Sequence, residues 1–332
     1  MKHLSYKFLA SFSVVAAICG VTLAASAQTL PVSVAVAPRN AEDLFYQGIE
    51  KYQQGNYQGA IEDFNQVLEL NPNHYPTYYN RGYIRYSLRD YRGAIEDYNL
   101  ALKINPDFTE AYNNRGLARR KLRDYQGAIE DYNRALRLNS NYAQAYVNRG
   151  YARYLSGQYQ EAIADFNQGL KIDPNFPEAY SNRGLALRQL GKYSEAIEDY
   201  NRALQLNSNY AQAYVNRGVA YFYLKKDSQA LEDYNRALSI DPNSDEAYLN
   251  RGVVRRQRGD TQGAITDYSQ AIRLNSQYTE AYLNRGIARY YLGDTKGAIE
   301  DTKKAASLAQ QQGYTSAYQR AQKHLQVFRN SQ

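Results

Sequence analysis

The chain repeats itself every 34 residues. With Ala41 as position 1, position 8 is glycine in eight successive windows, from Gly48 and Gly82 to Gly286. Position 20 is alanine in all eight, from Ala60 to Ala298. Position 4 is Leu44 and then Tyr78, Tyr112, Tyr146, Tyr180, Tyr214, Tyr248 and Tyr282. Position 24 is aromatic seven times, from Phe64 to Tyr268, and position 32 is Pro72, Pro106, Pro174 and Pro242. A period of this length overrides the two or three domains that 332 residues would otherwise suggest. Each window is one supersecondary unit that cannot bury its apolar face alone, so neighbours must stack to make a core.

Within a window, apolar residues at positions 4, 8, 20, 21, 24, 27 and 28 follow helical spacing. Turn residues such as Gly55-Asn56 and Gly191-Lys192 divide each window into two helices. Asn-Pro, Asp-Pro or Asn-Ser closes it where a helix should stop. The small residues at positions 8 and 20 let the paired helices come close.

This unit, with its small residue at 8, alanine at 20, aromatic at 24 and proline at 32, resembles the tetratricopeptide repeat. It departs from that family in carrying tyrosine for tryptophan at position 4, and arginine at position 7 in seven windows and often at position 11. The recurring Asn-Arg-Gly is similar to a bacterial subtype of the family. The resemblance implies an all-α fold, an alpha-alpha superhelix (TPR solenoid) of eight helix-turn-helix repeats over residues 41–312. The ends are atypical, as solenoid ends must be. Gln47 replaces the arginine in the first repeat, and Thr302 replaces the aromatic in the last. Beyond it, Tyr314, Ala317, Tyr318, Ala321, Leu325 and Phe328 make an apolar stripe, read as a C-terminal capping helix within residues 313–332.

Ahead of the repeats, Lys2 and Lys7 flank an apolar stretch from Phe8 to Ala24, and Ala25-Ser26-Ala27 is a small-x-small cleavage site. Residues 1–27 therefore read as a signal peptide cleaved before Gln28, which places the protein in the periplasm or outside the cell. An uncleaved membrane anchor is the alternative, and a lipoprotein on Cys19 fits poorly because Ala17-Ile18 precede it. Residues 28–40, with two prolines and no helical period, read as a flexible leader. Cleavage takes the formal charge from +7 to +5 and leaves no cysteine, hence no disulfide and no thiolate metal site. No later segment is long and apolar enough to span a membrane. The positive charge is spread along the chain and not massed, so a nucleic-acid partner is not expected.

Chemistry is largely excluded as well. Histidine occurs only at His3, His74 and His324, and no cluster offers a metal site. His74 takes a position held elsewhere by Phe108, Tyr142, Phe176 and Tyr210, so it reads as a packing residue. The abundant carboxylates repeat, whereas a catalytic site is unique. No enzyme activity, cofactor or metal is expected.

What remains are rows. Arginine at position 7 (Arg81, Arg115, Arg149, Arg183, Arg217, Arg251, Arg285) recurs with aspartate at position 23 (Asp63 to Asp301). These read as ion pairs within or between repeats, or alternatively as a row of anion sites. Asparagine at position 6 (Asn80, Asn114, Asn148, Asn182, Asn216, Asn250, Asn284) gains little from helix propensity, and its carboxamide both donates and accepts. By the resemblance, positions 6 and 12 lie on the concave face, and this row is similar to the asparagine ladder that holds peptide main chain in O-linked N-acetylglucosamine transferase repeats. An internal hydrogen bond to a neighbouring helix is the competing reading. Position 12 alternates aromatic and arginine: Tyr86, Arg120, Tyr154, Arg188, Phe222, Arg256, Tyr290. That 68-residue alternation also carries an identical segment, 138–150 and 206–218, which marks duplication of a two-repeat block. The family's carboxylate clamp is absent, since position 5 carries no lysine. The sequence thus reads as a non-enzymatic scaffold for protein or peptide ligands. Self-association and binding of anionic envelope polysaccharide are the alternatives.

Overall fold

The computed structural model describes residues 40–330, and the signal-peptide reading and all of the leader except Asn40 fall outside them. Among the described residues there are seventeen helices and no strand. They fall into two compact bodies. The N-terminal body holds α1 (Ala41–Gln53), α2 (Tyr57–Leu70), α3 (Tyr75–Ser87), α4 (Tyr91–Ile104), α5 (Thr109–Lys121), α6 (Tyr125–Leu138) and α7 (Ala143–Leu155). The C-terminal body holds α8 (Tyr159–Ile172), α9 (Pro177–Gln189), α10 (Tyr193–Leu206), α11 (Ala211–Tyr223), α12 (Asp227–Ile240) and α13 (Asp245–Gln257), followed by α14 (Thr261–Leu274), α15 (Thr279–Tyr291), α16 (Thr295–Gln311) and α17 (Thr315–Asn330). Odd-numbered helices through α15 are the first helix (A) of a repeat, and even-numbered helices are the second (B).

Each boundary has a local cause. Asn40 accepts from the Glu42 and Asp43 amides and starts α1. Between repeats, the side chain at position 31 accepts from the amide two residues on, as in Asn105 to Asp107 and Asp173 to Asn175, and folds the junction into a turn. Between helices A and B, position 15 is left-handed. It is glycine at Gly55, Gly157, Gly191, Gly259 and Gly293, but Arg89, Arg123 and Lys225 are also left-handed, at φ 59–66°, with a side chain attached. Helix B then starts on a side-chain cap: Asp90, Asp124, Asp260 and Asp294 accept from the glycine amide three residues later.

Within each body, A packs on B of its own repeat, B packs on the next A, and successive A helices meet directly. The core is layered accordingly. Tyr98, Tyr132, Tyr200, Tyr234 and Tyr268 at position 24 are fully buried. Their rings lie on the position-8 glycines, so that a Cβ on Gly116 would stand 2.7 Å from the Tyr132 ring. This is why position 8 admits no larger residue where position 24 is aromatic. In the last repeat Thr302 replaces the ring, and its hydroxyl donates to the Ala298 carbonyl. α17 covers α15 and α16 with Ala317, Ala321, Leu325 and Phe328, as the apolar stripe leads one to expect. Tyr314, which the stripe included, precedes the helix and is 59% exposed.

Candidate functional site

Arginine 7 and aspartate 23 pair within a repeat. Nη2 of Arg81, Arg115, Arg183, Arg217, Arg251 and Arg285 lies 2.5–2.7 Å from the aspartate Oδ1 sixteen residues on, and Nε donates to the same carboxylate. The guanidinium also reaches back. Nη1 donates at 2.6–2.7 Å to an asparagine at position 25 of the preceding repeat: Asn65, Asn99, Asn133, Asn167, Asn201 or Asn235. For Arg285 of the last repeat, Ser269 of the seventh takes that role at 3.0 Å. The tyrosine at position 4 lies beneath the same guanidinium, 5.3–5.6 Å from ring centre to Cζ. One arginine thus ties ring, carboxylate and neighbouring repeat together, with its bidentate side committed to the aspartate. The position-25 asparagines recur every 34 residues and could have been found by the same count, but nothing in the sequence said what they face.

A second cation reinforces the pair in some repeats. Arg85, Arg119, Arg255 and Arg289 at position 11 place Nη1 2.9–3.0 Å from the second carboxylate oxygen of Asp97, Asp131, Asp267 and Asp301. They also donate to the carbonyl of the glycine at position 19, at 3.0–3.5 Å.

The asparagine row divides. Asn80, Asn114, Asn148 and Asn216 are buried, at 0–7% exposure, between successive A helices. Asn114 Nδ2 donates to the Tyr79 hydroxyl at 2.9 Å, and Asn148 Nδ2 donates to Asn113 Oδ1 at 2.9 Å. Asn113 in turn donates to Asn114. At these two positions the internal hydrogen bond is what the carboxamide makes. Burial pushes the Tyr79 phenol far up, with the Asn114 bond working against it. Asn182, Asn250 and Asn284 are half-buried and make no side-chain hydrogen bond among the described residues. For Asn250 and Asn284 the neighbours at position 5 of the preceding repeat, Val215 and Leu249, have nothing to donate or accept.

Position 12 divides too. Arg120 and Arg256 sit half-buried beside the position-24 tyrosine of their own repeat. Burial pushes the Tyr268 phenol up to about 12, with the Arg256 charge opposing. Arg120 also lies 4.9 Å over the Tyr151 ring. Tyr86 packs on Tyr91 at 5.4 Å, and Tyr154 stacks on Tyr151 at 5.9 Å. Phe222 lies edge-on to Tyr223. Tyr290 stacks at 4.3 Å on Phe328 of the capping helix, which covers that end of the row. His74 packs edge-on against Phe45 at 5.0 Å, the packing role its position implied, and burial lowers its pKa.

Two residues of the rows come together in one cleft. Arg188 and Asn250, with Gln189, Tyr193, Val219, Tyr223 and Glu246, line about 320 Å³ across α9, α11 and α13 and the start of α10. The Tyr193 and Tyr223 rings stack in parallel at 4.8 Å on its wall. Glu246 accepts from Gln212 at 3.0 Å. The cleft joins a guanidinium, a carboxylate and two carboxamides, a set that can meet both the C=O and the N–H of an extended backbone. Gln189, Tyr223 and Glu246 belong to no row the sequence reading singled out.

Tetratricopeptide-repeat profiles match residues 41–142 and 150–293 in eight overlapping segments, among them 75–108, 109–142 and 211–244. The chain is a tetratricopeptide repeat protein. Among solved structures it is similar to a tetratricopeptide repeat protein from Parabacteroides merdae, with 20% identity, TM-score 0.62, and 75% of this chain and 98% of that one covered. It is also similar to Pseudomonas aeruginosa PilF (21%, 0.56, 62% and 94% covered) and to PilW, a type IV pilus biogenesis factor (21%, 0.58, 64% and 98% covered). At such identities the likeness is one of fold. No curated protein matches the chain. As a member of this family the chain is a protein-interaction scaffold. No described helix is long and apolar enough to cross a membrane, and no described group of His, Cys, Asp and Glu could hold a metal ion.

Proposed function

We propose that this protein is an exported, non-catalytic scaffold that holds an extended segment of a partner protein against its A helices. The observation that carries this reading is the Arg188–Asn250 cleft, where a guanidinium and a carboxamide face a volume of about 320 Å³ between stacked tyrosines and glutamate. Asn182, in the same repeat as Arg188, and Asn284, one repeat after Asn250, offer the same carboxamide chemistry. Each neutral contact is worth about 0.5–1.5 kcal/mol net and each contact to a charged group about 1.5–3 kcal/mol, so affinity comes from summing several. Pairing of the position-7 arginines with their own aspartates argues against the alternative of an anionic polymer bound along that row.

The test is capture of partners from envelope extract by the immobilised chain. Arg188→Ala with Asn250→Ala should lower retention about tenfold while helicity stays unchanged. Unchanged retention would sink the groove reading. Export has its own test: the N-terminus of the protein recovered from the producing cell should be Gln28, and recovery with residues 1–27 attached would overturn it.

A further inference from the structure

Positions 16 and 19 change together along the chain, and position 11 follows them except in repeat 4, where Arg153 stays beside Gln158 and Glu161. Repeats 2, 3, 7 and 8 have aspartate at position 16, glycine at 19 and arginine at 11: Asp90, Gly93 and Arg85; Asp124, Gly127 and Arg119; Asp260, Gly263 and Arg255; Asp294, Gly297 and Arg289. The coupling is steric and electrostatic. The capping aspartate leans over position 19, where a Cβ on Gly127 would stand 2.2 Å from Asp124 Oδ2. The arginine lies between that cap and the buried aspartate, 3.8 Å from Asp124 and 3.0 Å from Asp131 in repeat 3. Repeat 5 loses all three at once, with Lys192, Glu195 and Leu187. Repeat 6 does likewise, with Lys226, Gln229 and Tyr221, but there the Tyr221 ring lies 5.8 Å from the Arg217 guanidinium.

In repeat 5 nothing replaces the second guanidinium. A cleft of about 270 Å³ opens there, lined by Ile163, Asn167, Arg183, Leu187, Glu195, Glu198 and Asp199. That is several times the roughly 30 Å³ of a water molecule. Asp199 is 7% exposed and takes one guanidinium, from Arg183, where its counterparts in the four complete repeats take two. Glu195 has only an exposed Lys192 at 3.2 Å, and no described cation pairs with Glu198. The complete repeats therefore show, at the same place in the same fold, the group that such a vacancy accepts. We infer that this cleft is a second binding site, distinct from the A-helix groove, that receives an arginine side chain of a partner protein. The guanidinium would bridge Asp199 and Glu198, with Leu187 and Ile163 against its methylenes.

The probe is N-acetyl-L-arginine amide, with N-acetyl-norleucine amide as the neutral control, followed on the full chain by methyl NMR of Leu187 and Ile163. Saturable shifts are expected with the arginine probe, at least tenfold weaker binding with the control, and loss of binding at high salt. The variant Leu187→Arg/Lys192→Asp/Glu195→Gly rebuilds the complete set and should abolish binding. Should it fold poorly, Glu195→Gln/Glu198→Gln should weaken binding at least tenfold without disturbing the core. Asn250→Ala, in the other groove, should leave it unchanged. Equal shifts with both probes, or full binding by the double-glutamine variant, would overturn the inference.

Discussion

Repeats 3 and 5 share the same helices, the same buried tyrosine and the same arginine–aspartate pair, yet they are built differently at one edge. In repeat 3, Asp131 lies between Arg115 and Arg119, and Asp124 caps helix B. In repeat 5, Asp199 has Arg183 alone, and helix B starts at Lys192 with no side-chain cap. The shared part is what stacking requires. The variable part can be given up without losing the fold, because the aspartate keeps its bidentate partner and the tyrosine its glycine. A repeat array can thus hold a stretch in which local stability is relaxed and polar groups are left available.

The comparison can be broken most sharply at the aspartates. Asp131→Asn leaves two guanidinium groups facing a neutral side chain in a nearly closed site and should cost about 3–5 kcal/mol. Asp199→Asn strands one and should cost roughly half as much. Urea unfolding, with hydrogen exchange read in α6 and α10, measures both, and equal costs would mean that the second arginine contributes nothing. A smaller effect sharpens the cap. Lys192→Asp with Glu195→Gly should gain about 1 kcal/mol from a restored N-cap, whereas Lys192→Asp alone should gain little, because the position-19 Cβ obstructs the aspartate. Thermal midpoints of the two variants decide it. The smallest effect lies at the helix A–B turn. Arg123→Gly removes a left-handed non-glycine residue and should stabilise repeat 3 by about 0.5–1 kcal/mol, while Gly191→Ala should destabilise repeat 5 by a similar amount. Opposite signs in the same melting experiment are the expected outcome.

The period determined the helix pairs and the burial of position 24, and the apolar stripe beyond it determined the covering role of the last helix, because each follows from which residues recur at helical spacing. The partner of arginine 7 was legible as a type of residue but not as a place. Sixteen residues forward in the same repeat and sixteen back in the one before are equally periodic, and only packing separates the carboxylate from the carboxamide. The asparagine row misled in part for a related reason. Position 6 reads alike in seven repeats, but its neighbour at position 5 of the preceding repeat does not. Where that neighbour is Tyr79 or Asn113 the carboxamide is consumed internally, and where it is Val215 or Leu249 it is left without a partner. A row's availability is set by pairs of positions from two repeats, which a single-column count does not reveal.

The guanidinium that reaches back to the preceding asparagine also bears on how such a chain can grow. Every interior repeat carries a hook at its front, the arginine, and an eye at its rear, the position-25 asparagine or, in the seventh repeat, Ser269. Any repeat can therefore follow any other without a redesigned seam. A tandem duplication of two repeats, of which residues 138–150 and 206–218 preserve an identical piece, inserts material whose hooks already match the eyes on either side. The joint is generic, and this leaves the faces away from it open to change.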